Sequence, residues 1–155
     1  IHESLYRNSD FSSISFAGYL DRLSINLLNT YVTPGCNVNY KPTLDEVNLP
    51  LDQAIPCGLI VNELVSNVLK YAFVARKEGD FILRVQELGS KVEIEVADNG
   101  VGLPENFEEK KNDSLGIYLI YALIEQLGGE IIIESTKQGR EGSSFLIRFD
   151  KPNQT

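Results

Sequence analysis

The sequence is poor in the residues that build the commonest metal and nucleophile sites. Its 155 residues include one histidine, His2, and two cysteines, Cys36 and Cys57. A lone histidine excludes a histidine triad or a histidine metal cluster within the chain. Two cysteines are too few for a disulfide scaffold or a cysteine-rich zinc site and fit reduced, structural thiols. Basic residues are outnumbered, 14 Lys and Arg against 22 Asp and Glu, for a net charge of −8. That balance excludes non-specific nucleic-acid binding, which needs a basic surface. It leaves room for a nucleotide at one locally favourable site. No apolar run approaches the roughly 18 residues that cross a bilayer, and no signal peptide is visible. The chain opens on Ile1 rather than Met, so a piece of a longer parent is expected.

Hydrophobic content is 43%, enough at this length for a single domain with its own core. The organising stretch is Pro56 to Phe73, PCGLIVNELVSNVLKYAF, expected as one helix with Pro56 in its first turn. At about 100° per residue, Asn67, Lys70 and Tyr71 fall on the side of Glu63. Val61, Leu64, Val65, Val68, Leu69 and Ala72 take the opposite side. One face can dock on a sheet; the other carries a carboxylate, an amide, an ammonium and a phenol. Such a face is often merely solvated. Asn62 and Asn67 argue for more, because Asn is a poor interior helix residue. A carboxylate one turn before an amide also suits Mg²⁺ on a phosphate, since this ion takes few protein oxygens when phosphates supply others.

Around this helix, residues 1–15 read as a linker and Phe16 to Tyr31 as a helix stopped by Thr33-Pro34-Gly35. Asn37–Tyr40 and Leu44–Val47 read as two short strands either side of Lys41-Pro42-Thr43. Arg76 to Asp80 reads as a turn. Phe81–Gln86 and Val92–Val96 alternate across Gly89-Ser90 as a hairpin. Leu103 to Asp113 is an aperiodic, charged loop, and Leu115 to Leu127 a helix ended by Gly128-Gly129. Ile131–Glu134 and Ser144–Phe149 form a second strand pair across the turn Lys137–Gly142, and 151–155 a tail. The order predicts an α+β fold: a two-layer α/β sandwich with a mixed, mainly antiparallel sheet covered on one face by three helices.

Three further stretches carry chemistry. Asp98-Asn99-Gly100-Val101-Gly102-Leu103-Pro104 puts a carboxylate at a strand end, able to accept from an exocyclic amine. Its spaced glycines let the backbone approach a flat ligand, though by itself the pattern also fits a plain turn. It lacks the further oxygen ligands and distal Glu of a calcium loop. Asn112-Asp113-Ser114-Leu115-Gly116 opens a helix whose free N–H groups would attract a phosphate. Gly142-Ser143-Ser144-Phe145 enters the last strand.

In this order the four pieces resemble the ATP site of the gyrase, Hsp90, histidine-kinase and MutL superfamily, with its Bergerat-type ATP-binding fold. GLIVNELVSNVLKYAF is similar to the N box of sensor histidine kinases. DNGVGLP resembles their first glycine box, SLGIYLIYALIEQLGGEI the second and GSSFLIRF the last. IHESLYRNSD and LPLDQAIPCGLIVNELVSN resemble the subgroup with the second HisKA-type phosphoacceptor domain.

The resemblance implies a catalytic domain at 16–150, preceded by a linker from upstream phosphoacceptor helices and followed by the tail. It implies ATP and Mg²⁺ as cofactors. Asn67 would hold the metal, Lys70 a phosphate, and Tyr71 would lie near the adenine or ribose. Asp98 would accept from the adenine amine, with Ser144 near the base, while Gly100, Gly102 and Leu103 fold the chain over the nucleotide. Ser114, Leu115 and Gly116 would line the phosphate end, and Glu63 would be the catalytic carboxylate. The implied partners are the parent's phosphoacceptor helix pair and a response regulator, with no nucleic acid and no membrane contact by this piece. A cytoplasmic location is implied whether or not the parent is membrane-anchored. Two departures stand out: the second glycine box keeps only Gly116, and no phenylalanine-centred box appears in Leu103–Asp113. His2 sits where the family has a linker histidine and is assigned no catalytic role. A superfamily ATPase, a protein serine kinase and a non-catalytic ATP or ADP sensor remain as alternatives.

Overall fold

The computed structural model describes residues 14–31, 34–73, 76–102, 115–136 and 142–152. Most of the expected linker with His2, the loop 103–113 with Leu103, the cap Ser114, most of the turn 137–142 and the end of the tail lie outside the described residues.

The elements are β1 (Ile14–Ser15), α1 (Phe16–Tyr31), β2 (Asn37–Leu44), β3 (Asn48–Leu49) and α2 (Leu51–Asn67), which runs into a π-helical turn over Val68–Ala72. Then come β4 (Glu78–Leu88), β5 (Lys91–Asp98), α3 (Leu115–Leu127), β6 (Glu130–Thr136) and β7 (Gly142–Asp150). Among the described residues the main sheet has five strands in the order β2-β4-β5-β7-β6. Only β2 and β4 run parallel; the other neighbours are antiparallel. The helices lie on one face with α2 between α1 and α3. Phe81, Leu83 and Val85 of β4, Val92, Ile94 and Val96 of β5, and Phe145, Ile147 and Phe149 of β7 form the buried floor under them. This is the expected two-layer α+β sandwich. No helix among the described residues is long and apolar enough to cross a membrane.

The other face of the sheet is polar and is laced by ion pairs. Arg84 reaches Glu95 at 3.1 Å, while Arg148 reaches Glu93 at 2.7 Å and Glu130 at 3.1 Å. The Arg148 guanidinium, opposed by burial and helped by Arg84, holds Glu93 below the ordinary carboxylate range.

Five local expectations need correction. Residues 78–80, expected within a turn, open β4 and pair with residues 37–39 of β2. The central helix starts at Leu51, not Pro56, so the proline lies inside it. Gln53 and Ala54 donate instead to Pro50 O at 3.0 and 2.9 Å, and Asp52 sits in the first turn, where a negative charge is favourable. Residues 37–44 form one strand through Pro42 rather than two. A missing N–H is tolerated because β2 is an edge strand with one side unpaired. The first linker residues to be described, Ile14 and Ser15, pair with Leu49 and Asn48. At the other end, Lys151 N–H donates to Ser90 O at 2.8 Å, and the Lys151 ammonium pairs with Glu87.

Candidate functional site

The site grows from the end of β5. Alternation along that strand turns Val92, Ile94 and Val96 to the helices, and the same row ends on Asp98. A carboxylate is therefore delivered to the core side, where it is only 8% exposed. Its Oδ1 accepts the Gly100 N–H at 2.8 Å and its Oδ2 accepts the Ser143 hydroxyl at 2.6 Å. Burial pushes the Asp98 carboxyl up, against the opposing pull of the Ser143 hydroxyl and the Gly100 and Ser143 backbone donors. A desolvated carboxylate with three fixed donors and an unspent lone pair is a strong acceptor for an incoming N–H.

Glycines let three backbones meet beside it. A Cβ on Gly100 would lie 2.0 Å from Ala72 O, and one on Gly142 would lie 2.1 Å from Asp98 O. Val101 N–H donates to Ala72 O at 2.8 Å. The turn after Asp98 is thus bolted to the π-helical end of the helix that carries Glu63 and Asn67. Gly102 follows with φ +79° and faces the start of β7.

Glu63 and Asn67, one turn apart on α2, are both half-buried. Lys70 lies in the π-helical turn. The i→i+5 turn changes the winding beyond Asn67, and the Lys70 ammonium lies 5.0 Å from the centre of the Tyr31 ring, against α1. Tyr71 is 64% exposed on the same turn. Leu115 opens α3 and Gly116 is half-buried in its first turn. Leu103 and Ser114 lie in the segment outside the described residues. Ser144 is a correction. Its hydroxyl donates to Glu95 at 2.7 Å on the polar face of the sheet, and the serine on Asp98 is Ser143. Period two could have found it, because Ser143 continues the inward row of Phe145, Ile147 and Phe149. Among the described residues no three His, Cys, Asp or Glu gather as a metal site. Asn67 offers one neutral oxygen, which fits a Mg²⁺ that arrives on phosphates and takes most ligands from them.

A buried acceptor at a strand end, a glycine junction and a polar helix face joined to it make up the candidate site, and comparison with known proteins decides its family. Residues 52–153 match the model for histidine kinase-, DNA gyrase B-, and HSP90-like ATPases. The chain belongs to that family. Its relatives are sensor histidine kinases. It is 28% identical over 140 residues to blue-light-activated histidine kinase 2 of Erythrobacter litoralis, spanning 90% of this chain and 38% of that one. It is 25% identical over 150 residues to the sensor histidine kinase PdtaS of Mycobacterium tuberculosis, spanning 96% of this chain and 29% of the relative. A solved histidine kinase domain from an Erythrobacter litoralis blue-light activated histidine kinase superposes with a TM-score of 0.77 at 26% identity, over 90% of this chain and 68% of that one. The catalytic domain of histidine kinase ThkA shares the fold, with a TM-score of 0.70 at 16% identity over 93% of this chain and 99% of that one. The chain therefore spans well under half the length of these curated relatives.

Two outcomes follow for this histidine-kinase-like domain. Ser143→Ala removes a charge-assisted hydrogen bond and is expected to weaken nucleotide binding roughly tenfold. Ser144→Ala should stay within about twofold, since this hydroxyl bonds Glu95 on the opposite face of the sheet from Asp98. Calorimetric titration of both variants checks this; equal losses would refute the assignment. The second outcome concerns pH. Adenosine has no phosphate protons to confuse the titration, and its affinity should fall as acidification protonates Asp98. The midpoint should lie above the ordinary Asp range, because burial raises this group. A flat profile would contradict an ionised Asp98 as the acceptor.

Proposed function

We propose that this chain is the Mg-ATP-binding catalytic domain of a two-component sensor kinase. It would transfer the γ-phosphoryl group to a histidine on the phosphoacceptor helix pair of its parent, for relay to a response regulator. The observation that carries this reading is the buried Asp98, fixed by Ser143 and Gly100, bolted through Val101 to the helix of Glu63 and Asn67.

In this reading Asp98 accepts from the adenine amine and Gly100 and Gly102 let the chain close over the base. Tyr71 lies near the adenine or ribose, and Leu103 belongs to the covering loop. Ser114, Leu115 and Gly116 present the free N–H groups of α3 to the phosphates. Lys70 leaves Tyr31 for a phosphate oxygen. Asn67 would hold a Mg²⁺, which when bound neutralises phosphate charge. Phosphoryl transfer needs mainly positioning and charge neutralisation. An imidazole nitrogen of the acceptor forms the new N–P bond. The bond from the γ-phosphorus to the bridging oxygen breaks, and its electron pair leaves with ADP. Glu63, one turn before Asn67, orients the imidazole through its other N–H and takes that proton. A cytoplasmic location follows from ATP as substrate.

The test combines the chain with the parent's helix pair and γ-labelled ATP. Label on the helix pair is expected, dependent on Mg²⁺. Glu63→Gln should lower transfer about 10²- to 10⁴-fold while ATP still binds. Hydrolysis without label transfer would favour an ATPase instead, with Glu63 acting on water. Mg²⁺-indifferent binding without turnover would favour a nucleotide sensor.

A further inference from the structure

The Asn99 side chain takes no part in the reading above, yet it is bonded through both its oxygen and its nitrogen. The β4–β5 ladder ends at the pair Phe81 and Asp98. One step further, Asp80 and Asn99 continue it by other means. Asn99 N–H donates to Asp80 O at 3.3 Å, and Asp80 N–H donates to Asn99 Oδ1 at 2.7 Å. Asn99 Nδ2 donates to Asp80 Oδ2 at 3.4 Å. The Asp80 carboxylate is itself held from the edge strand by Asn39 Nδ2 at 3.2 Å and Lys41 Nζ at 3.1 Å.

We infer that Asn99 and Asp80 are a positioning pair that aims the Asp98 carboxylate at the nucleotide base. The inference rests on the ATP reading of the site. Its logic is local. Asp98 is the last residue with a ladder partner, and Gly100 must already be against Ala72. One residue bridges a strand end and a sharp departure from it. The Asn99 amide replaces the ladder there, accepting one strand N–H and donating to the carboxylate of the same residue. An Asn in such a motif usually reads as a turn former; here its side chain spans to the neighbouring strand instead. On the far side the Gly100 N–H holds Asp98 Oδ1 and Val101 N–H holds Ala72. Every residue from Asp98 to Val101 is thereby pinned. Unpinning Asn99 returns backbone freedom that the nucleotide must then remove, equivalent to roughly 5- to 30-fold in affinity for one residue.

The test is a swap. Asn99→Asp keeps the acceptor for Asp80 N–H but sets two carboxylates against each other. The double variant Asn99→Asp with Asp80→Asn restores a donor and an acceptor across the gap. Calorimetry with Mg-ATP and Mg-GTP is expected to show about tenfold weaker ATP binding and a narrower ATP preference for Asn99→Asp. The double variant should return to within about threefold of the wild type. Amide exchange at Gly100 and Val101 without nucleotide should accelerate in Asn99→Asp and recover in the double variant. Single-variant affinity and exchange matching the wild type would overturn the proposal, as would a swap that restores neither. So would ATP and GTP losses in equal proportion that track the fall in Tm. Wild-type protein that binds no ATP overturns the reading of the site itself, and the exchange rates still decide whether the clamp exists.

Discussion

Asp98→Asn is expected to raise the thermal stability of the ligand-free domain while weakening Mg-ATP binding by roughly 10- to 150-fold, the range spanned by a hydrogen bond to a charged group. The two effects share one cause. Burial raises the folded-state pKa of Asp98 above its ordinary value. A raised carboxyl contributes stability below its unfolded pKa and loses it as pH climbs through the folded one. At neutral pH the ionised group is thus a net cost to the empty fold. Asparagine removes the charge and keeps the Gly100 and Ser143 hydroxyl contacts: its Oδ1 accepts the Gly100 N–H, and its Nδ2 donates to the Ser143 hydroxyl oxygen. What it cannot do is present a second acceptor to an amine. Each kcal/mol of relief corresponds to roughly 2–4 °C in Tm at this size. Calorimetric melting and titration on the same preparation decide the matter. A lower Tm with undiminished affinity would remove Asp98 from the base-binding role.

Destabilising groups of this kind are rarely visible as such in a sequence, and this chain shows where the boundary lies. Helices Phe16–Tyr31 and Leu115–Leu127 were legible to the residue, because an apolar period of 3.6 runs uninterrupted between clear stops. Asp98 was legible too, as the polar end of a strict alternation. Pro56 looks like a helix start when judged by its missing N–H alone; the earlier start at Leu51 is set locally, by the Gln53 and Ala54 N–H groups on Pro50 O. The other misses involve contacts far along the chain. Pro42 interrupts a strand only if both strand edges are paired, and nothing local says that β2 is an edge. The π-helical turn over Val68–Ala72 was not legible either, since it ends where Ala72 O receives Val101 N–H from a segment nearly thirty residues on. Ser143 is different in kind, because the alternation through Phe145, Ile147 and Phe149 already turns it inward and Ser144 outward.

Gly100→Val should have the widest consequences of any single change at the site. Its Cβ would lie 2.0 Å from Ala72 O and 2.6 Å from Ala72 C. Those are backbone atoms at the end of a packed helix, so no rotamer change relieves the clash. Either the π-helical turn or the Asp98–Gly102 turn must move. Moving either breaks the 2.8 Å bond from Val101 to Ala72 and frees the Gly100 N–H from Asp98. Overpacking typically costs about 1–3 kcal/mol, and each lost hydrogen bond about a further 1 kcal/mol. ATP affinity is expected to fall at least 100-fold, because Asp98 and the Asn67 end of α2 lose their common anchor. Gly18→Ala is the natural control. Its Cβ would sit 3.5 Å from Arg22 Nη1, an ordinary contact with a flexible side chain, and alanine favours a helix. That variant should bind ATP as the wild type does and melt no lower. If Gly100→Val retained affinity, Asp98 and α2 would not be working as one unit, and the geometry argued for the site would have to be abandoned.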